Sequence, residues 1–319
     1  MNNKLIRGVI FLLAISFSIT VLGSCTPKPK KPLPQKKLGT EPTISLYLND
    51  TGQIKRIKME EYIQGVVAAE MDPQWPINAL AAQAILARTF TLKQMQDKGG
   101  VPAHKTDAST SVEEFQAYDP AKINDNVKKA VQVTRGQVVK YRGRYINSWF
   151  SACDGGSEAS AAEGLAYHKE KTPYIKAGAK DGCLSITTPE NKQWTASFPL
   201  DTVRTAVLKA SGKDTGNINA GNVSIVKKGA SGRAETIKIG KAVISGSALR
   251  LALGSDRMRS IYLSGLYVDG WKLVITGRGF GHGVGMCQWG ARKMAQEGKG
   301  TAEIVRFYFK EVTIEKMWK

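Results

Sequence analysis

The sequence predicts an α+β fold, in which helices combine with antiparallel β-sheets and a smaller α+β subdomain is inserted into the larger part. Two runs of alternating residues, 43–49 and 53–59, flank Asp50-Thr51-Gly52 and predict a β-hairpin. Directly after the hairpin, apolar residues recur every three or four positions, which is typical of helices. From about 191 to 263 the pattern changes to short helices and strands, which we interpret as the inserted subdomain.

Residues 1–25 are typical of a bacterial lipoprotein signal peptide. A basic start is followed by an apolar run from Val9 to Leu22 and then by Gly23-Ser24-Cys25. In lipoproteins a cysteine after small residues is lipidated and becomes the mature N-terminus. We therefore expect Cys25 to anchor the protein by lipid to the extracytoplasmic face of the cell membrane. An uncleaved membrane anchor and a secreted form are the alternatives.

The next segment, 26–39, is rich in proline and lysine and predicts an extended linker to one folded domain, 40–319. The formal charge of the chain is +19. Such a surplus favours a polyanionic partner. For an exported protein we expect anionic cell-wall polymers or lipid head groups rather than nucleic acid, and a basic surface that only confers solubility is the alternative.

A pair of predicted helices carries one ionisable residue on each apolar face. Glu70 continues the apolar face of 60–71, and Pro73 ends that helix. Arg88 lies on the apolar stripe of a second helix that Pro76 begins. A carboxyl group on an apolar face loses hydration, so its pKa rises and it can donate a proton near neutral pH. The periodicity leaves two interpretations open, a buried Glu–Arg ion pair without chemistry and a catalytic acid at Glu70.

The middle of the chain predicts a helix over 124–134 and a second hairpin formed by 137–141 and 144–150. This hairpin leads into 151–156, a turn of small and polar residues at the end of a strand. Loops in such positions often carry binding groups.

A glycine-rich loop, 277–291, follows a predicted strand over 271–276. Every second residue from 277 to 285 is glycine, and His282 lies among them. Such a backbone must bend sharply or lie close to another surface. The spacing matches neither the Rossmann nor the Walker nucleotide-binding pattern. The loop continues into a predicted helix over 286–297, whose first amides could bind a polar ligand.

Two segments together resemble the signatures of the SpoIID family, named for stage II sporulation protein D. They are 62–90, with VVAAEM, WP and AAQAILARTF, and 279–291, GFGHGVGMCQWGA. The resemblance covers about 44–309. It implies a peptidoglycan lytic transglycosylase that cleaves the bond between N-acetylmuramic acid and N-acetylglucosamine in glycan strands, often strands stripped of stem peptides, during sporulation or cell-wall remodelling.

The resemblance also implies roles for individual residues, and no cofactor. Glu70 matches the catalytic glutamate of the family. Arg88 would hold the lactyl carboxylate or orient Glu70. The full set of substrate-binding candidates is Arg88, Gln83, His282, Gln288 and Trp289.

The chain lacks the cysteines of one family metal site but has cysteines elsewhere. Many family members carry a histidine and two cysteines near the positions of Ser109 and Phe115, sometimes with zinc; neither cysteine is present here, so we expect no metal there. In an exported protein we expect a Cys153–Cys183 disulfide. A zinc site formed by these two cysteines, Cys287 and a histidine, and free thiols, are the alternatives.

Two other functions compete with the enzyme. One is a non-catalytic glycan-binding module that enhances an N-acetylmuramoyl-L-alanine amidase, and the other is a scaffold in a sporulation or division complex. A binder needs aromatic and hydrogen-bonding groups but no acid on an apolar face. The presence of Glu70 therefore favours the enzyme.

Overall fold

The structure, a computed structural model, describes residues 39–319. The predicted signal peptide with Cys25, and all but the last residue of the predicted linker, lie outside the described residues. Among the helices of 39–319, none combines the length and apolar character that a membrane span requires.

Helices and short strands are interspersed along the described chain. The helices are α1 (Met59–Glu70), α2 (Ile77–Lys98), α3 (Asp125–Val133), α4 (Ala161–Leu165), α5 (Pro189–Lys192), α6 (Leu200–Ser211), α7 (Gly246–Leu253), α8 (Gln288–Gln296) and α9 (Thr301–Tyr308). The strands are β1 (Thr43–Tyr47), β2 (Ile54–Lys58), β3 (Ala108–Ser109), β4 (Gln137–Tyr141), β5 (Arg144–Tyr145), β6 (Phe150–Ser151), β7 (Trp194–Pro199), β8 (Val223–Lys228), β9 (Ala234–Ile239), β10 (Ala242–Ser245), β11 (Leu263–Asp269), β12 (Lys272–Gly277), β13 (Met286–Cys287) and β14 (Thr313–Lys316).

The strands form small sheets, which confirms the predicted α+β class. Antiparallel pairing dominates in the sheets β10-β9-β8, β11-β12-β7 and β14-β4-β5. The first predicted hairpin is present, with Thr43 opposite Lys58 in β1 and β2. Two pairs are parallel, β1 with β3 and β6 with β13. The second of these joins the end of the 144–150 run to the glycine-rich loop.

Two hydrophobic cores organise the described residues. The larger core surrounds α1 and α2, and most of their side chains are buried in it. The smaller core runs from Trp194 to Ile275. It extends past 263, the predicted end of the inserted subdomain, because β12 pairs with β7 and so packs its apolar side chains with those of the subdomain.

A buried arginine joins the smaller core to the turn after β6. Arg233 precedes β9, and its guanidinium donates to the carbonyl oxygens of Asp154 and Ser157. The Glu163 carboxylate of α4 accepts hydrogen bonds from the backbone and hydroxyl of Ser231. Gly283 of the glycine-rich loop has a φ of +67°, and a Cβ there would overlap the Arg233 guanidinium. A glycine is therefore required where this loop crosses the arginine.

Candidate functional site

Glu70 is the last residue of α1, and its carboxyl group lies at the end of that helix. The side chain is only partly accessible to solvent. Its Oε1 accepts a hydrogen bond of 3.0 Å from the backbone N–H of Ala117, and the Gln288 side chain bonds to the carboxylate as well. Burial raises the pKa of Glu70 to about 7, and the bonds from Ala117 and Gln288 oppose the rise. About half of the Glu70 carboxyl groups therefore carry a proton near neutral pH.

The segment after β3 brings the Ala117 amide to Glu70. The aromatic ring of Tyr118 packs against Gly65 of α1, where a Cβ would overlap the ring. The backbone N–H of Asp119 donates to Gly65 O at 3.0 Å, and Gln116 Nε2 donates to Thr91 Oγ1 at 3.0 Å. These contacts on both sides of Ala117 hold its N–H against the carboxylate.

Two glutamines from different elements meet beside Glu70. Gln288 begins α8, and its Nε2 lies 3.4 Å from Oε1 of Gln83 in α2. Both side chains are buried, and Gln83 Nε2 has no hydrogen-bond partner within 39–319. The structure thus brings together three of the predicted site residues, Glu70, Gln83 and Gln288.

An aromatic pair continues this region. Trp289 packs against Trp75 with ring centroids 4.8 Å apart, and the Arg292 guanidinium lies 4.8 Å from the Trp289 centroid and 5.0 Å from that of Trp75. The predicted site included Trp289 but neither Trp75 nor Arg292. The signal for Trp75 was its place in the WP element, whereas Arg292 lies one helical turn after Gln288 and no motif distinguishes it.

The prediction that Arg88 binds substrate or orients Glu70 requires correction. Arg88 is fully buried and pairs with Glu60, with Nη2–Oε2 at 2.6 Å and Nε–Oε1 at 3.2 Å. Its Nη1 donates to the carbonyl oxygens of Ala84 and Gln137. All three guanidinium nitrogens are thus bonded inside the core, which leaves none for a glycan.

The buried Glu–Arg ion pair therefore exists, but its acid is Glu60. Glu60 lies in the first turn of α1, where it borders the same apolar face that Glu70 continues at the other end of the helix. Its Oε1 also accepts from the Gly136 backbone and from Trp318 Nε1. The sequence interpretation missed Glu60 because both acids fit the helical spacing and only the fold shows which of them meets Arg88. This pairing leaves Glu70 without the positive partner that would have lowered its pKa.

His282 occupies the glycine-rich loop as a neutral imidazole. Its Nδ1 accepts from the backbone N–H of Val284 at 3.1 Å. Burial lowers the pKa of His282 to about 3, and the nearby charges of Arg250 and Arg233 act in the same direction. Its predicted contact with substrate stays a prediction, and any such contact would use an uncharged ring.

In the region where the resemblance places a metal in other family members, this chain has hydrogen-bonded polar side chains and no cysteine. His104 Nε2 lies 3.0 Å from Glu114 Oε1, and Ser109 Oγ donates to Glu114 Oε2 at 2.8 Å. His104 also stacks on Tyr47. These three polar side chains satisfy one another there.

The sulfurs of Cys153 and Cys183 lie 3.3 Å apart as thiols. The predicted disulfide between them stays a prediction.

Comparison with known proteins extends these observations. The model of the family described as Stage II sporulation protein matches residues 47–141, which include Glu70 and Gln83. An uncharacterized protein of Brachyspira hyodysenteriae is 33% identical over 82% of this chain and 67% of its own length. Stage II sporulation protein D of Bacillus subtilis is 30% identical over 86% of this chain and 79% of its own. The Amidase enhancer of Bacillus subtilis is 27% identical over 79% of this chain and 40% of its own.

Proposed function

The chain belongs to the SpoIID family, whose named relatives indicate a role connected with the cell wall, and we propose that it is a peptidoglycan lytic transglycosylase with Glu70 as its catalytic acid and base. The observation that carries the proposal is the Glu70 carboxyl group, which is partly accessible, has no cationic partner in the described contacts and has a pKa of about 7. A group with this pKa is able both to donate and to accept a proton near neutral pH.

The reaction needs only one such group. Protonated Glu70 donates its proton to the glycosidic oxygen as the bond from that oxygen to C1 of N-acetylmuramic acid breaks, and the bonding electrons leave with the oxygen. The Glu70 carboxylate then removes the proton of the C6 hydroxyl, whose oxygen bonds to C1 and closes a 1,6-anhydro ring. Glu70 ends protonated, and no water is consumed.

The neighbouring groups support both halves of this cycle. The Ala117 N–H and the Gln288 amide stabilise the carboxylate that forms between the two proton transfers. The partly exposed ring of Trp289, which packs on the buried ring of Trp75, offers an apolar face to a sugar ring, and the Arg292 guanidinium offers a positive charge to the lactyl carboxylate.

We also propose where the enzyme works. Lipidation at Cys25 would hold it on the extracytoplasmic face of the cell membrane, and the basic linker would let it reach glycan strands. Strands freed of stem peptides are the proposed substrate, with a cell-wall amidase as the partner that produces them.

Mass spectrometry of the products tests the proposal. Purified protein is incubated with glycan strands, either intact or freed of stem peptides by an amidase. We expect products that end in anhydro-N-acetylmuramic acid, and we expect Glu70→Gln to abolish them while strand binding remains. Reducing ends would indicate hydrolysis instead, and full cleavage by Glu70→Gln would refute the assignment of the acid.

One comparison favours a second candidate, a glycan-binding module that stimulates an amidase. The relative named Amidase enhancer aligns with most of this chain. Two results together would favour the amidase-stimulating module over the lytic transglycosylase. The protein would bind both forms of the strands without cleaving either, and it would accelerate a cell-wall amidase to the same extent with and without the Glu70→Gln substitution.

A further inference from the structure

Three cysteines that are distant in the sequence meet in the core. Cys153 follows β6, Cys183 begins a short 3-10 turn and Cys287 precedes α8, and each is almost completely buried. We call these residues the cysteine cluster. An oxygen of Asp154 completes a set of four donor atoms that all lie within 4.8 Å of one another.

The distances within this set suit a shared cation. Cys153 Sγ lies 3.3 Å from Cys183 Sγ, which lies 3.0 Å from Asp154 Oδ1. At tetrahedral Zn²⁺, with metal–sulfur bonds of about 2.3 Å and metal–oxygen bonds of about 2.0 Å, two sulfur ligands are separated by about 3.8 Å and a sulfur and an oxygen ligand by about 3.5 Å. The two observed separations are each about 0.5 Å shorter than these, so small outward shifts of the side chains would admit one ion.

Buried acidic oxygens beside the cluster lack hydrogen-bond partners among residues 39–319. Asp154 Oδ2 has no hydrogen-bond partner in the described part of the chain, although Asp154 is 1% exposed. Both oxygens of the buried Glu158 carboxyl also lack a partner of good geometry, although the Gly285 N–H points towards this group. Burial of such groups is unfavourable unless a cation or a hydrogen bond compensates for it.

The surroundings of Cys287 suit a sulfur that binds metal. The backbone N–H of Asp154 donates to Cys287 Sγ at 3.4 Å, and that of Gly290 donates at 3.3 Å. Cys287 is the N-cap of α8, where the helix dipole favours negative charge. Hydrogen bonds to ligand atoms commonly support them at metal sites.

We propose that the cysteine cluster and Asp154 bind one Zn²⁺ ion in a closed, structural site. Thiolates select zinc over magnesium or calcium, and four protein ligands leave no position open for substrate. A Cys153–Cys183 disulfide accounts for the cluster less well, because it leaves the third sulfur and the unpartnered Asp154 Oδ2 unexplained. The fourth ligand is Asp154, where the sequence suggested a histidine.

The site would fasten three segments beside the candidate active site. It joins the turn after β6, the 3-10 turn at Cys183 and the start of α8. Gln288, which bonds to Glu70, directly follows the ligand Cys287. The ion would thereby hold Gln288 in position without contacting a glycan. This inference does not depend on the proposed reaction.

Metal analysis and thiol counting test the site. The full chain is purified with Cys25→Ser, so that the cluster supplies every cysteine, and with no chelator present. We expect one zinc per chain by elemental analysis and three alkylated thiols after denaturation with a chelator. Cobalt exchanged into the site should give thiolate-to-metal charge-transfer absorption, which Cys183→Ser should weaken because one of the three thiolates is lost.

Two comparisons keep the result interpretable if a cysteine variant fails to fold. Asp154→Asn retains the three sulfurs and should lose zinc to a competing chelator about tenfold or more readily. The unsubstituted chain with Cys25 should bind as much zinc as Cys25→Ser. Absence of zinc with a single alkylated thiol would establish the disulfide and overturn the proposal. Absence of zinc with three alkylated thiols would overturn it in favour of free thiols. If the protein contains zinc but its cobalt-exchanged form shows no charge-transfer absorption, the metal lies elsewhere and the proposal is likewise overturned.

Discussion

The raised pKa of Glu70 has a consequence for stability that can be measured without substrate. The folded chain binds a proton at Glu70 with a pKa of about 7, whereas the ordinary glutamate value is 4.5. Below pH 4.5 both the folded and the unfolded state are protonated, so the folded state has no penalty at this site. As the pH rises from there through 7, the unfolded state ionises freely while the folded state must retain the proton or ionise a buried carboxyl, so stability is lost.

The variant Glu70→Gln removes this titration and preserves the shape of the side chain. Linkage between the two pKa values gives a loss of about 2.5 kcal/mol for the unsubstituted protein between pH 5 and pH 8.5, which the variant should not suffer. Other titrating groups are common to both proteins. Their contributions cancel when the difference in unfolding free energy is compared between the two pH values.

Urea unfolding of both proteins at pH 5 and pH 8.5 provides the assay. We expect Glu70→Gln to gain about 2.5 kcal/mol over the unsubstituted protein as the pH is raised. The control is Glu61→Gln, an exposed acid of the same helix, for which the gain should be under about 0.5 kcal/mol. A gain for Glu70→Gln as small as that of the control would refute the raised pKa and, with it, the main support for a catalytic acid.

Further predictions concern the activity, the buried ion pair and the binding of glycan strands. Cleavage that needs protonated Glu70 should fall about tenfold per pH unit above pH 7, as initial rates across pH 5 to 9 would show; a rate that rises over this range would contradict the acid role. Gln288→Leu removes a hydrogen bond that lowers the pKa of Glu70, so the falling limb should move to higher pH, and a move to lower pH would exclude this contact. Arg88→Ala leaves the Glu60 carboxylate unpaired in the core and should lower the unfolding free energy by about 3 to 5 kcal/mol in urea, whereas unchanged stability would contradict the structural ion pair. Trp289→Ala, measured in Glu70→Gln protein to prevent cleavage, should weaken binding to glycan strands about three- to tenfold, and unchanged affinity would remove the tryptophan from the site.

The sequence by itself determined the α+β class, the first hairpin and the helical pair α1 and α2. Their signals are local, because residue alternation, helical spacing and the prolines at 73 and 76 act within a few positions along the chain. The same local reasoning placed Glu70 on an apolar face at the end of α1. It also identified the glycine-rich loop, since a run of alternating glycines has a direct backbone meaning.

Only the tertiary structure decided which side chains meet. Periodicity shows that Arg88 faces inward, but Glu60 and Glu70 both adjoin the apolar face of α1, and packing assigns the arginine to Glu60. The Ala117 amide reaches Glu70 from 47 residues away, and Asp154 joins a cysteine cluster whose members span Cys153 to Cys287. Such contacts depend on how distant segments pack together, and a local pattern contains no information about the partner segment.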